Sequence, residues 1–297
     1  MKLDQLATHT TREAEVISII IPFYNTERYL EQCLLSIKEQ TFSNYECLMI
    51  NDGSTDNSLN IAKKFADEDG RFKLIDSIHI GFPKAKNLGL DLATGDYICF
   101  VDSDDFINKD YLKILFEAIN ETGTDICCCG YQSFCGALKQ KIVQHEVKIY
   151  DNDKMSKIFN YPVATFMWNK LFKRELFDNL RFDDVIALSD TILCPIIFDR
   201  AAQIASITDI LYYYRKHQES MSFKVKQKGD IYWEHRLNIY LNIYNFLMKK
   251  YPKYRLYYIN KLEEELVYIY NSPSKEILFK YYNQIESIDK KLLKFIV

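Results

Sequence analysis

The 297-residue sequence has no uninterrupted apolar run approaching the length of a membrane span. Its first fifteen residues, Met1–Glu15, are polar and lack the apolar core of a secretory signal. Both absences lead to the expectation of a cytoplasmic protein with reduced thiols, free to rest peripherally on the inner face of the plasma membrane. There is no basic excess either: the formal net charge is −3, so nothing global points to nucleic acid. The eight cysteines show no metal-binding spacing. Cys127, Cys128 and Cys129 are consecutive, and neighbours on a strand point to opposite faces, so they cannot converge on one ion. They read instead as small apolar residues of a buried strand.

What is present is an ordinary globular composition, 48% hydrophobic, in a chain long enough for one large domain or one domain with an appendage. Charge is unevenly spread. Residues 1–222 carry 24 Lys and Arg against 33 Asp and Glu, whereas residues 223–297 carry 14 against 8, together with 11 of the 22 tyrosines. A boundary near Phe223 follows. The expected organisation is a polar extension (1–15), a catalytic domain (16–222) and a basic, tyrosine-rich helical tail (223–297).

Val16–Phe23 is nearly continuous in β-branched residues, the pattern of a strand covered on both faces. Leu30, Cys33, Leu34 and Ile37 then recur at helical spacing. Tyr45–Ile50 is a second strand, closed by Asn51-Asp52-Gly53-Ser54, and Ile61, Ala62 and Phe65 mark a helix. Phe72–Ile75 (strand), Lys84–Leu92 (helix), Tyr97–Val101 (strand), Lys109–Asn120 (helix) and Asp125–Gly130 (strand) continue the alternation. Such alternation implies an α/β fold: an open, mostly parallel sheet with helices on both faces. Ligands then bind beyond the carboxyl ends of the strands, where Tyr24-Asn25, Asp52-Gly53-Ser54 and Asp102–Asp105 all fall.

The most informative junction is Ile98–Asp105, an apolar strand running into Asp102, Asp104 and Asp105. Adjacent carboxylates repel one another and need water or a cation. Asp102 and Asp104, one residue apart, can project from the same side of an extended segment and hold Mn²⁺ or Mg²⁺, which also accepts phosphate oxygens. A solvated acidic turn is the plain alternative. Asp52 reads as turn chemistry when taken alone. At a strand end it can also accept hydrogen bonds from a nucleobase N–H or a ribose hydroxyl.

Six motifs in order, Pro-Phe-Tyr-Asn (22–25), Gln-Thr-Phe (40–42), Asn-Asp-Gly-Ser-Thr-Asp (51–56), Ala-Lys-Asn-Leu-Gly (85–89), Gly-Asp-Tyr-Ile (95–98) and Asp-Ser-Asp-Asp (102–105), resemble the nucleotide-binding half of a family 2 glycosyltransferase with the GT-A fold. The resemblance covers Val16–Phe116 and makes 16–116 the nucleotide-binding half and 117–222 the acceptor half. It implies that Pro22, Tyr24 and Asp52 line the uracil site of a UDP-sugar. Asp102 would contact ribose and the metal shell, and Asp104 would ligate the divalent ion. Lys86, implied as a further nucleotide-sugar contact, stands where the family usually has Arg, and lacks its bidentate fork.

Met167–Phe172 with Lys173-Arg174 resembles a segment on the acceptor side, where Trp168 either stacks on a sugar or simply packs. The family typically shows a Glu-Asp pair whose Asp is the base; here the pair is Ser189-Asp190. Asp190 is also suited to the start of a helix over Thr191–Arg200. Tyr212–His217 through Ser220-Met221-Ser222 resembles the family's closing strand and following loop, placing Arg215 or His217 near the diphosphate, with His217 also a candidate on the acceptor side. The implied reaction is inverting transfer from a UDP-sugar to a glycan, lipid-linked or protein acceptor, in bacterial surface-polysaccharide or glycoconjugate synthesis.

Other classes fit less well. A nucleotidyltransferase would be expected to carry a glycine-rich basic loop after the first strand, and Phe23–Arg28 offers none. A non-catalytic partner subunit stays open because of Lys86 and Ser189. In the tail, Leu237, Tyr240, Leu241, Tyr244, Leu247 and Tyr251 define an amphipathic helix over 229–250, with further helices over 253–270 and 274–295. The tail can pack its aromatics on the catalytic domain or on a second copy of the chain, or rest the basic stretch Lys249–Arg255 on anionic lipid.

Overall fold

The computed structural model describes residues 15–135, 138–143, 147–151, 166–183, 189–220, 223 and 229–295. The expected extension 1–15 lies outside these, Glu15 excepted, as do Met221 and Ser222.

β1 (Ile17–Phe23) is buried along its whole length and takes an interior position in the sheet, as its β-branched run requires. It pairs in parallel with β2 (Tyr45–Asp52) and β4 (Tyr97–Phe100), and β2 pairs in parallel with β3 (Phe72–Ser77). Beyond β4 the sheet changes character. β9 (Lys170–Lys173) inserts antiparallel between β4 and β6 (Ile126–Cys135), and β6 pairs in parallel with β10 (Ile204–Arg215). β5 (Phe106–Ile107) and β8 (Lys148–Tyr150) add antiparallel to β10, and β7 (Leu138–Val143) to β6. The order along the sheet is β3-β2-β1-β4-β9-β6-β10-β5.

Alternation along β1 sends its side chains to two cores. Ile17, Ile19 and Ile21 pack with α1 (Glu27–Lys38), α2 (Ser58–Glu68) and α4 (Tyr111–Thr122). Ile20 faces the other way, into a core built with α3 (Phe82–Leu92), α5 (Ser189–Arg200), α6 (Asp230–Lys250) and α7 (Arg255–Tyr270). Gly89 permits this close approach of α3, since a Cβ there would lie 2.4 Å from Ile20 Cγ2. Cys127 and Cys129 fall in one core and Cys128 in the other, as the strand reading of the cysteine run requires.

Two expectations change in detail. The closing strand begins at Ile204, because its first residues pair with Ile126–Cys128. The expected helix over 274–295 is broken into Ile277–Lys280, Tyr282–Ile288 and a 3₁₀ turn over Lys290–Phe295. Asp289 ends the second piece in an extended conformation, and its carboxylate accepts from the Lys291 N–H at 2.9 Å, a capping bond that competes with helix continuation. Among the described residues no helix is long and apolar enough to cross a membrane.

Candidate active site

The carboxyl ends of β1 and β2 lie level, with Phe23 opposite Asn51, while β4 ends three residues earlier, with Phe100 opposite Ile20, and gives way there to the acidic loop. The motifs that follow these strands are locked together. Asn25 donates its backbone N–H to Ser54 Oγ (3.1 Å) and accepts the Thr55 N–H at 2.7 Å, so the 22–25 and 51–56 segments form one rim. Gln40 Nε2 donates to the Asn108 carbonyl (2.7 Å) and its Oε1 accepts from Leu112 N (3.0 Å), tying α1 to the start of α4.

Pro22 is buried within β1, level with Ile50. Tyr24, 43% exposed, lies 4.4 Å from the His79 ring. Asp52 is 3% exposed; its Oδ1 accepts from Ile80 N (2.6 Å) and Gly81 N (3.1 Å), and His79 Nδ1 lies 3.0 Å from Oδ2. Asp52 therefore shapes the turn that enters α3. Gly53 is required beside it: it has φ +71°, and a Cβ there would meet His79 N at 2.7 Å. His79 was not legible in the sequence, because a lone histidine after a short strand carries no pattern.

After β4 the three aspartates take different environments. Asp105 is buried; Tyr212 donates its hydroxyl to Oδ2 at 2.8 Å and Arg215 its backbone N–H to Oδ1 at 2.6 Å. Burial pushes its carboxyl well up, and Asp104 and Asp102 add to the effect. Asp105 anchors the loop. Burial also pushes Asp102 up to about 7, with Asp104 and Asp190 adding to the rise and Lys86 opposing it. Asp104 Oδ2 lies 2.8 Å from His217 Nε2, and among the described residues the buried His217 Nδ1 has no hydrogen-bond partner. Among the described residues no three His, Cys, Asp or Glu side chains converge as a ready-made metal cage. The hard oxygen donors of Asp104 and Asp102, with an imidazole beside them, nevertheless suit Mn²⁺ or Mg²⁺, which usually keep positions for water and phosphate.

Arg215, expected near a diphosphate, donates Nε to the Asp104 carbonyl (2.7 Å) and Nη2 to Gln32 Oε1 (2.6 Å). Its guanidinium lies among Phe134, Tyr29 and Phe106, 4.7, 4.8 and 5.9 Å from the ring centres. It braces the acidic loop from β10.

The second half of the chain brings in Asp190, in the first turn of α5, where free N–H groups favour a carboxylate. Lys86 Nζ reaches Asp190 Oδ1 at 2.8 Å, and Met167 N–H is 3.3 Å from Oδ2. Asn87 takes both backbone groups of Phe182 (2.8 and 2.9 Å) and so closes the segment before α5 onto α3, a role the motif did not announce.

Of the two readings of Trp168, its surroundings favour packing. It is 4% exposed and stacks among Phe166, Tyr212 and Tyr214, with centroids 4.9, 4.8 and 5.4 Å away, so no face is left for a ligand. The neighbouring Lys170, also buried, donates to the Phe166 carbonyl (2.6 Å) and Asn169 Oδ1 (2.9 Å). The 166–170 segment is thus a scaffold that presents the Met167 N–H.

A mixed, mostly parallel sheet with its acidic loop at the carboxyl ends of the strands defines a transferase of the GT-A class. The sequence profile of glycosyl transferase family 2 matches residues 18–181, and the chain belongs to that family. GlyA, a glycosyltransferase of Streptococcus pneumoniae, is 34% identical over 232 residues, 74% of this chain; the match spans about a third of GlyA (33%). In structure the chain is similar to residues 1–349 of Staphylococcus aureus TarS, solved with UDP-GlcNAc (TM-score 0.67, 22% identity, covering 95% of this chain and 81% of that one). It is also similar to the mannosyltransferase PcManGT of Pyrobaculum calidifontis, solved with GDP-Man and Mn²⁺ (TM-score 0.59, 16% identity, covering 93% and 75%).

Proposed function

We propose that this glycosyltransferase moves a sugar from a UDP-sugar to a hydroxyl group of a glycan, lipid-linked or protein-linked acceptor, with inversion at the anomeric carbon. The observation that carries this reading is that the two halves of the chain meet at one place. Lys86 Nζ, on α3 of the first half, reaches Asp190 Oδ1, at the start of α5 in the second, at 2.8 Å. The complexes of TarS with UDP-GlcNAc and of PcManGT with GDP-Man support a nucleotide-sugar donor, and the choice of UDP follows the first of them. The setting we assign is bacterial surface-polysaccharide or glycoconjugate synthesis, following the breadth of the family.

The base of the nucleotide lies against Tyr24, His79 and Asp52, in this reading, with Pro22 as the floor, and Asp102 faces the ribose. Asp104, with His217 beside it, would hold Mn²⁺ or Mg²⁺, and Asp102 would reach the metal through its shell. The bound ion supplies positive charge against the departing diphosphate. Asp190 takes the proton from the acceptor hydroxyl as that oxygen bonds to the anomeric carbon and the bond to UDP breaks. The catalytic domain is assigned to 16–222, with 16–116 binding the nucleotide and 117–222 the acceptor.

The test is UDP release from a panel of UDP-sugars with and without Mn²⁺, comparing the parent with Asp104→Ala and Asp190→Ala. Metal-dependent release from one donor is expected, abolished in Asp104→Ala and reduced about 10²–10⁴-fold in Asp190→Ala. No UDP binding and no release would move the chain to a non-catalytic partner subunit.

A further inference from the structure

Lys86 carries the inference. It lies on the buried face of α3 with Ala85, Gly89 and Leu90, and is itself 2% exposed. A buried ammonium needs a counter-charge and hydrogen-bond acceptors. Among the described residues, Asp190 is the carboxylate within ion-pair distance of it, 2.8 Å from Nζ. Asp102 also feels the ammonium's charge, and three aromatic rings lie close to Nζ. Phe82, Phe182 and Phe100 have ring centroids 4.6, 5.0 and 5.6 Å from Nζ, and their faces attract a cation without accepting its protons. Phe182 is in turn pinned by two hydrogen bonds with Asn87, the next residue of α3: Asn87 Nδ2 donates to the Phe182 carbonyl and the Phe182 N–H donates to Asn87 Oδ1. At 2% exposure, with one N–H committed to Asp190 and three rings about it, the ammonium offers little open surface to a donor phosphate.

We infer that Lys86 is a positioning residue for Asp190 and makes no essential contact with the nucleotide. The inference rests on the proposed role of Asp190 as base. With Oδ1 held at 2.8 Å by the ammonium and Oδ2 approached by one long N–H contact (3.3 Å, from Met167), the carboxylate presents Oδ2 to the acceptor hydroxyl. Lys86 keeps its own protons throughout. The hydroxyl proton passes to Oδ2, the oxygen bonds to the anomeric carbon, and the bonding pair of the broken C–O bond leaves with UDP. This assigns Lys86 a different task from the nucleotide contact expected of a cation in that motif.

The two roles separate in a binding-against-turnover experiment on the full chain. UDP affinity is measured by calorimetry with Mn²⁺, and turnover by UDP release at a saturating concentration of the UDP-sugar that the parent uses. Lys86→Gln is expected to bind UDP within about twofold of the parent while turnover falls roughly 10- to 100-fold, the scale of losing a hydrogen bond to a charged group. Lys86→Arg, which restores the cation, is expected to recover most of that turnover. In an Asp190→Asn background, adding Lys86→Gln is expected to cost no further turnover, because the partner through which it acts is already gone. A tenfold or greater loss of UDP affinity in Lys86→Gln with saturated turnover retained would overturn the inference, as would losses that multiply in the double variant. Full turnover in Asp190→Asn alone would instead overturn the base reading, and the UDP titration of the Lys86 variants would tell the two failures apart. The UDP titration also reports whether each variant is folded.

Discussion

Single side chains in this site divide between those that face a ligand and those that hold the ones that do. In the proposed reading Asp102 and Asp104 belong to the first group, while Asp105, Arg215 and Trp168 make bracing contacts, although all five stand in or near the motifs. Local sequence could not separate them. Asp104 and Asp105 are adjacent and identical, and only the Tyr212 hydroxyl and Arg215 N–H, from 107 and 110 residues away, make Asp105 structural. Trp168 gives a direct check. If it were a sugar platform, Trp168→Ala would weaken the acceptor and leave the fold intact. Its burial against three rings predicts a loss of about 3–5 kcal/mol in a chemical denaturation series instead.

At the scale of elements, Glu46 shows how the first three strands are stapled. It is buried on β2, where its Oε1 accepts from Ser18 Oγ (2.6 Å) and Thr94 N (2.7 Å) and its Oε2 from Lys73 Nζ (2.7 Å). Burial alone would raise this carboxyl; the bonds from Lys73, Ser18 and Thr94 outweigh it and bring the pKa down from 4.5 to about 2. A folded-state value below the unfolded one gives stability that is complete above pH 4.5 and lost as the pH falls through about 2. The expected loss is on the order of 3 kcal/mol, read from denaturant melts across that window. Glu46→Gln should flatten that acid limb and lower stability at neutral pH. Elements of this kind were legible where periodicity was long: β1, α1, α3 and α6 stand within a few residues of where the spacing puts them. β5 and β9 were not, because strands of two and four residues carry no periodicity and exist only through their partners.

For the whole molecule, the tail is continuous with the catalytic sheet rather than hung from it. Leu237, Leu241 and Leu247 of α6 and Leu262 and Leu266 of α7 share one core with Ile20, Phe100 and Leu193. At the far end of α5 from Asp190, Asp199 accepts from Lys250 Nζ (2.5 Å) and from the Tyr251 hydroxyl. Helix α5 thus carries the proposed base at one end and the tail's anchor at the other. A chain ending at residue 222 is expected to melt well below the parent, or to be insoluble, because that core would open to water. A truncated chain with an unchanged melting temperature would instead make the tail a separate appendage. The tyrosine periodicity foretold packing; what it could not show was which surface received it, since that depends on contacts between α6 and an element about forty residues earlier.

Seven of the eight cysteines are buried, and Cys135, at the end of β6, is exposed. A maleimide dye applied to the folded chain should therefore attach once, at a known point. That point adjoins Phe134, whose ring lies 4.7 Å from the Arg215 guanidinium, and Arg215 holds the Asp104 carbonyl. The native chain thus comes with a fluorescence reporter position beside the acidic loop, through which donor and metal titrations can be followed without engineering a new thiol.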